Sequence, residues 1–367
     1  MRREDGDDHE GREGEGEVTS GTARPLDTSA LDGNDELLQS GFWGRFKQDH
    51  GWQPLAFEMD VSGGGGCIRL LVLTRRLARA FTIAYVPFGP AFDPVAGRGV
   101  MLAEIARALR RALPRGTLFL RWDLPWEKSG EAPARPGRIV KASSDMQPPD
   151  TVIVDITPEP EAILAGFKSK TRYNVKYSEK KGVEVREGTL DDLDRWYTLY
   201  EETSRRDRIA IHTRAYYRGL FEKAASAPGA RPAVKLLLAY HGGDLLAGNI
   251  VVFWRTRSAY LYGASTGLKR NLMPTYALQW KAILMARAAG CTTYDLYGVP
   301  PASDPSHPMY GLYQFKTGFN ETVLHRWGTW DAPYRPLLYA AYRAAEALRM
   351  FYYRRLKKRQ RSHAAAD

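Results

Sequence analysis

Apolar positions along this chain switch between two spacings, every second residue and every third or fourth, and each switch marks an element. Over 37–47, Phe42, Trp43 and Phe46 give one side of a short amphipathic helix. Apolar stretches at 55–57 and 68–74 flank Gly63 to Gly66 and predict two strands around a hairpin tip. A further strand covers 82–88. Helical spacing through Leu102, Ile105, Ala106 and Leu109 predicts a helix over 100–113, and 118–122 returns to strand, ending at Asp123. The polar, proline-rich stretch 131–150 reads as a crossover between domains.

The pattern then repeats. A strand at 152–156 leads to one or two helices over 158–181, stopped at Gly182, and 190–203 is amphipathic. Strands at 236–240 and 245–254 flank His241-Gly-Gly-Asp244, a strong two-residue hairpin signal. A third strand at 259–263, a helix over 275–289 closed by Gly290, and a strand reaching Tyr297 follow. Each half thus reads antiparallel strands, helix, strand ending in an acid, Asp123 in one and Asp295 in the other. That order is the one of an acyl-CoA N-acyltransferase-like (GNAT-like) unit. The predicted fold is α/β, two tandem GNAT-like domains with mixed sheets. The expected division is a disordered acidic tail over 1–33, a first domain over 34–150 plus 317–345, a second over 151–316, and a basic C-terminal helix or tail over 346–367.

Composition supports two real cores: 367 residues, 44% hydrophobic and 11% aromatic. Charge changes the picture more. The formal net charge is +11, but residues 1–17 hold eight acids and three bases, so taking their −5 away leaves +16 for the rest. A body this basic suits an anionic partner such as nucleic acid, a phosphorylated small molecule or an anionic membrane face, although the same balance can serve solubility alone. Cys67 and Cys291 stand far apart with no clustered histidines, which argues against a disulfide framework or a zinc site. The acidic N-terminus has no apolar core of a signal peptide, and no apolar run reaches the length of a membrane span, so a cytoplasmic protein is expected.

Four constellations can carry chemistry. Lys168, Arg172, Lys176 and Lys180 recur every four residues and form one cationic stripe, with Tyr173 and Tyr177 between them. Like charges at that spacing destabilise a helix, so the stripe points to a compensating polyanion, or else to a solvated face with Glu179 and Glu184 nearby. Lys47 follows an aromatic helix and precedes the break at Gly51-Trp52, where a lysine can meet a phosphate; Trp43 and Phe46 read equally as core. Arg205, Arg206, Arg208 and Arg214 surround a loop that also holds His212, followed by Tyr217, and suit a diphosphate or a plain basic loop. In Met309-Tyr-Gly-Leu-Tyr-Gln-Phe-Lys-Thr-Gly-Phe319, Lys316 sits among Tyr313, Phe315 and Phe319 at the expected start of a helix, after a proline-rich loop. A lysine among aromatics can stabilise negative charge, Asp295 can orient a backbone or an amine, and Tyr260, Tyr262, Tyr294 and Tyr297 are placed to converge there; the aromatics can also be simple core. No GxxxxGK[ST], GxSxG or HExxH motif is present, so no covalent mechanism is indicated.

Three segments together resemble the Fem family of peptidoglycan interpeptide-bridge aminoacyltransferases: Leu38-Gln-Ser-Gly-Phe-Trp-Gly-Arg-Phe-Lys47, Lys170-Thr-Arg-Tyr-Asn-Val-Lys-Tyr-Ser-Glu-Lys-Lys-Gly182, and Tyr294-Asp-Leu-Tyr-Gly298 with Gly311-Leu-Tyr-Gln-Phe-Lys-Thr-Gly-Phe319. The resemblance runs from about residue 37 to 333. It implies transfer of an amino acid from aminoacyl-tRNA to the stem-peptide amine of a UDP-linked or lipid-linked muropeptide, with no metal and no cofactor. By position it implies Lys316, with Asp295, at the reaction centre. Lys47, Asp123, Arg214, Tyr217, Tyr262, Tyr313 and Phe315 would bind substrate, and the stripe Lys168, Arg172, Lys176 and Lys180 would hold tRNA. The long helical arm of some members is absent, and the C-terminal stretch 337–361 is unusually basic and aromatic, which suits peripheral contact with the inner membrane face. Two other classes remain in view. One is a CoA-dependent N-acyltransferase on the same fold, although the loop Lys269-Arg-Asn-Leu-Met-Pro-Thr275 lacks the glycines that cradle a pyrophosphate. The other is a non-enzymatic nucleic-acid or membrane-surface binder.

Overall fold

Apolar runs that alternate poorly in the sequence are strands buried on both faces. The computed structural model describes residues 21–363 apart from 63, 79, 136–137 and 227–231. The first unit comprises β1 (Arg24–Leu26), α1 (Gly41–Gln48), β2 (Gln53–Val61), β3 (Gly66–Ala78), β4 (Phe81–Val86), α2 (Arg98–Ala112) and β5 (Thr117–Glu127). A crossover carries β6 (Val140–Lys141) and β7 (Asp150–Thr151). The second unit follows as β8 (Ile153–Asp155), α3 (Pro160–Gly166), α4 (Ser169–Lys180), β9 (Glu184–Gly188), α5 (Leu193–Asp207), α6 (Arg214–Ser226), β10 (Ala233–His241), β11 (Asp244–Trp254), β12 (Arg257–Ser265), α7 (Pro274–Ala288), β13 (Thr293–Asp295) and α8 (Tyr310–Lys316). β14 (Leu324–Pro333) and α9 (Pro336–His363) close the chain.

The sheets are ordered β1-β2-β3-β4-β5-β14-β6, with β7 also on β14, and β8-β13-β12-β11-β10-β9. Among the described residues only β4–β5 and β12–β13 run parallel. Each unit is therefore an antiparallel meander, a helix and a parallel return strand, the GNAT-like order expected from the sequence. The chain then returns to the first unit. β14, which follows the second unit, completes the first sheet against β5, and β8, which precedes the second meander, completes the second sheet against β13.

Two-residue periodicity explains the double burial. Leu70 and Val72 face α2, whereas Leu71 and Leu73 face the other unit. In β10, Leu237 and Ala239 face α7 while Leu236 and Leu238 point to the first unit. Between the sheets lie α1, α5 and α6, whose Phe42, Phe46, Trp196, Tyr216 and Tyr217 form one core shared by both units.

Some boundaries differ from expectation. The tail was expected to reach 33, but β1 pairs with β2 and Leu31 is wholly buried. The reason is local: Asp27 caps a turn over Thr28–Leu31, driving Leu31 into the shared core. The part of that expectation covering residues 1–20 lies outside the described residues. Asp123 sits inside β5 rather than at its end. Lys316 ends α8 instead of starting a helix. Phe319 packs in the second core, so the return to the first unit comes after residue 317, and α9 begins ten residues before 346, at Pro336.

Candidate active site

A turn between β13 and the proline-rich loop builds the centre of the site. Asp295 ends β13, and its carboxylate accepts from the Tyr297 backbone N–H at 2.7 Å and from the Thr151 hydroxyl. That bond holds Tyr297 at φ +60°, the left-handed region, which costs a non-glycine residue on the order of 1 kcal/mol. The turn aims two successive carbonyls at one point. Lys316 Nζ donates to Tyr297 O at 3.2 Å and to Gly298 O at 2.9 Å, and lies 5.4 Å from the centre of the Tyr260 ring. Lys316 is only 5% exposed. Burial pushes its ammonium down to about 7, with the nearby Asp295 charge opposing that shift. An amine near neutrality, fixed by two carbonyls against an aromatic face, can hold charge or give up a proton at physiological pH.

Tyr260 reaches Lys316 because β12 carries a bulge. Ile250 pairs with Tyr262 while Val251 pairs with Tyr260, so the two tyrosines enter different cores although they are two residues apart. Gly263 is the position this arrangement requires: a Cβ there would lie 1.6 Å from the Tyr260 hydroxyl. Tyr262 instead meets Tyr217 edge-on at 4.9 Å in the shared core.

The second pole is Lys47. Its Nζ lies 5.7 Å from the Trp43 ring and 5.5 Å from the Tyr216 ring, so α1 of one unit and α6 of the other bracket it. Burial, with help from Arg75, lowers its ammonium to about 8. His212 stacks on Tyr216 at 3.9 Å, and His50 packs against the same ring at 4.6 Å. Both imidazoles are lowered, first by burial and then by the Lys47 charge.

Between the poles runs an aromatic wall on the seam of the units. Phe88 faces Tyr297 at 6.4 Å and Trp52 faces Tyr85 at 6.0 Å. Asp123 is buried under this wall, accepting from the Tyr85 and Thr329 hydroxyls, and burial raises its carboxyl above the usual range. Arg326, on β14, donates to Asp295 at 3.4 Å and covers the Phe88 ring at 5.1 Å, so a strand of the first sheet braces the turn of the second. Arg326 also borders a cavity of about 660 Å³ with Asp150, Pro301, His325 and Trp330.

Thus Lys316, Asp295, Lys47, Asp123, Tyr217 and Tyr262 gather along one seam. The other expected residues lie elsewhere. Arg214 pairs with Asp194 at 3.4 Å on the outer side of α6 and covers Tyr197. Phe315 packs edge-on to Tyr276 and Tyr313 lies on the same second core, so the aromatic neighbours of Lys316 in sequence are packing residues. Arg172 leaves the cationic stripe, folding back to donate to Ala165 O and Phe167 O. Lys168, Lys176 and Lys180 remain exposed, while Thr171, Asn174, Val175 and Ser178 form the buried face of α4. The helix start abuts the segment that follows Lys316, with Lys168 N–H donating to Gly318 O at 2.9 Å. Gly318 is needed there, since a Cβ would come within 2.1 Å of Thr171 Oγ1. Sequence reasoning missed Arg326, Tyr85, Tyr216 and Thr329. Arg326 and Thr329 reach the site through a strand pairing roughly 200 residues distant in the chain, for which no local signal exists. Tyr216, beside Tyr217, was visible as one of an adjacent aromatic pair.

Comparison with known proteins places this geometry among relatives. The model of the FemAB family matches residues 136–226 and 234–347. A lipid II:glycine glycyltransferase of Staphylococcus haemolyticus (strain JCSC1435) is 22% identical, over 81% of this chain and 88% of its own. The protein of the same name from Staphylococcus aureus is 20% identical with the same coverage. The crystal structure of FemX superimposes with a TM-score of 0.72 at 19% identity, covering 88% of this chain and 99% of that one.

Proposed function

The chain belongs to the FemAB family, and from that premise we propose that it transfers an amino acid from aminoacyl-tRNA to the stem-peptide amine of a lipid-linked or UDP-linked peptidoglycan precursor. One observation carries the reading. A buried lysine, held by two carbonyls of a strained turn, ends a helix beside the start of an exposed cationic helix, while a second lysine lies in the same interunit seam. The names of the Staphylococcus relatives support a lipid-linked acceptor.

The chemistry suits such a site. The acceptor amine nitrogen attacks the ester carbonyl carbon, a C–N bond forms, the C–O bond to the terminal ribose breaks, and the amine proton ends on the ribose hydroxyl. The ester is already activated, so the protein has mainly to position the amine and stabilise the oxyanion. Lys316, as ammonium, supplies that stabilisation. Asp295 acts through the turn: with its oxygens engaged by Thr151, Tyr297 and Arg326, it fixes the carbonyls that aim Lys316. Lys47 meets the phosphate of the acceptor carrier, with Tyr262 and Tyr217 forming the wall beside it, and Asp123 sets the polarity of the opposite wall. Lys168, Lys176 and Lys180 hold tRNA phosphates and lead the acceptor end toward Lys316. A CoA donor fits less well. The turn before α7 carries no glycine, Lys269 in it is tied to Asp244 and His241 O, and Pro274 removes an amide from the helix start.

The test is a transfer assay with radiolabelled aminoacyl-tRNA and either a lipid-linked or a UDP-linked muropeptide, run beside Lys316→Met. Label moving to the acceptor, and lost in the variant, is expected. Transfer from acyl-CoA but from no aminoacyl-tRNA overturns the donor assignment.

A further inference from the structure

The inward face of α9 is locked to the first unit. The Tyr339 hydroxyl donates to Asp331 Oδ2 at 2.8 Å, Ser143 donates to Glu346 at 2.7 Å, and Arg121 reaches Glu346 at 3.4 Å while pairing with Asp331 at 2.7 Å. Phe119 lies against the rings of Tyr339 and Tyr342 at 5.3 and 4.9 Å. Arg121, Asp331 and Glu346 are all buried. A buried ionic network is a poor source of stability but a good way to fix one orientation, because a rotated helix would leave charges unpaired. The rotation of α9 about its axis is therefore set, and so is the face it turns outward.

That outward face is apolar. Leu337, Ala341, Ala344, Leu348 and Phe351 follow one another at intervals of four, three, four and three residues, the spacing of a single helical stripe. Leu337 is 88% exposed, Leu348 75% and Phe351 61%. The stripe is about 21 Å long at 1.5 Å per residue. It leads straight into residues 354–361, which hold six bases and no acid. No helix among the described residues is long and apolar enough to cross a membrane.

We propose that this face of α9 docks on an anionic lipid bilayer, lying in the plane of the surface. The stripe enters the headgroup and acyl boundary, and the bases of 354–361 meet lipid phosphates. Both features are needed to choose the partner. An RNA would use the bases but leave the stripe in water. A second copy of the chain would cover the stripe but leave the bases without an anion. The surface serves the proposed reaction by holding the protein where a lipid-linked acceptor resides, and only in that sense does it rest on that reading.

The experiment is co-sedimentation of the full chain with phosphatidylcholine vesicles with and without phosphatidylglycerol, no substrate present. Binding to the anionic vesicles that weakens as salt is raised is expected. Leu348→Asp with Phe351→Asp, at exposed positions, should lower it by about tenfold or more, as should Lys357→Glu with Lys358→Glu. Both variants should keep transfer to a UDP-linked acceptor and lose it selectively with a lipid-linked acceptor in vesicles. Unchanged vesicle binding by both variants, loss of tRNA binding in place of vesicle binding, or a dimer dispersed by the Leu348 and Phe351 changes would overturn the proposal. Because binding is read without substrate, failure here is distinguishable from failure of the aminoacyltransferase reading.

Discussion

At the scale of the residue, Lys316 carries opposed demands. The proposed chemistry uses its charge, yet burial lowers its pKa to about 7. The unfolded chain holds that proton up to the ordinary lysine value of 10.5, so between about 7 and that value the unfolded state binds more protons and stability rises with pH. Lys316→Met is accordingly expected to melt higher than the parent below about pH 7, with the gap closing as pH rises, in thermal scans at several pH values. The same variant should lose about 10²–10³-fold in turnover, the usual cost of removing one oxyanion donor. In the parent, turnover under saturation should fall as pH passes upward through about 7, because the ammonium is lost. Gly263→Ala tests the aim of the site without touching a titratable group. The new methyl would displace Tyr260 from Lys316, and a displacement of that kind should cost about 10–100-fold in turnover with the fold retained by circular dichroism.

At the scale of the element, α4 shows why a charge pattern does not by itself assign roles. Four cations share the stripe in sequence, but Arg172 closes the α3–α4 junction while the other three face outward. Lys168→Glu with Lys176→Glu and Lys180→Glu should raise the Kd for aminoacyl-tRNA and flatten its log–log salt slope by about two to three units, read by filter binding over a salt series. Arg172→Glu should instead lower the melting temperature, since it leaves two carbonyls unpaired. The bulge in β12 makes the same point. Alternation alone would put Tyr260 and Tyr262 on one face, and the extra residue sends Tyr260 to Lys316 and Tyr262 into the shared core.

At the scale of the whole molecule, the units are joined by more than a linker. β14 returns from the second unit to complete the first sheet, and the units share a core built around Trp196 and Tyr217. Trp196 is wholly buried and packs over Gly248, where a Cβ would lie 2.7 Å from its ring. Trp196→Ala should destabilise by about 3–5 kcal/mol, and both units should unfold in one transition, followed in denaturant by fluorescence and circular dichroism together. Separate transitions for the two units would contradict a shared core.

Periodicity and turn chemistry in the sequence determined the two meanders, their helices and the parallel return strands, because these depend on residues within reach of one another along the chain. His241-Gly-Gly-Asp244 is such a case: both glycines have positive φ in a two-residue turn. The family-like segments around Lys47, residues 170–182 and Lys316 were legible for the same reason, each being local. Tertiary structure alone decided which cations stay exposed, which tyrosines reach which lysine, and that Arg326 and Thr329 belong to the site. Those outcomes hang on a strand pairing between segments some 200 residues apart and on a bulge in one ladder. Neither leaves a periodic trace, because the energy that selects them comes from burial and hydrogen bonding between distant parts of the chain.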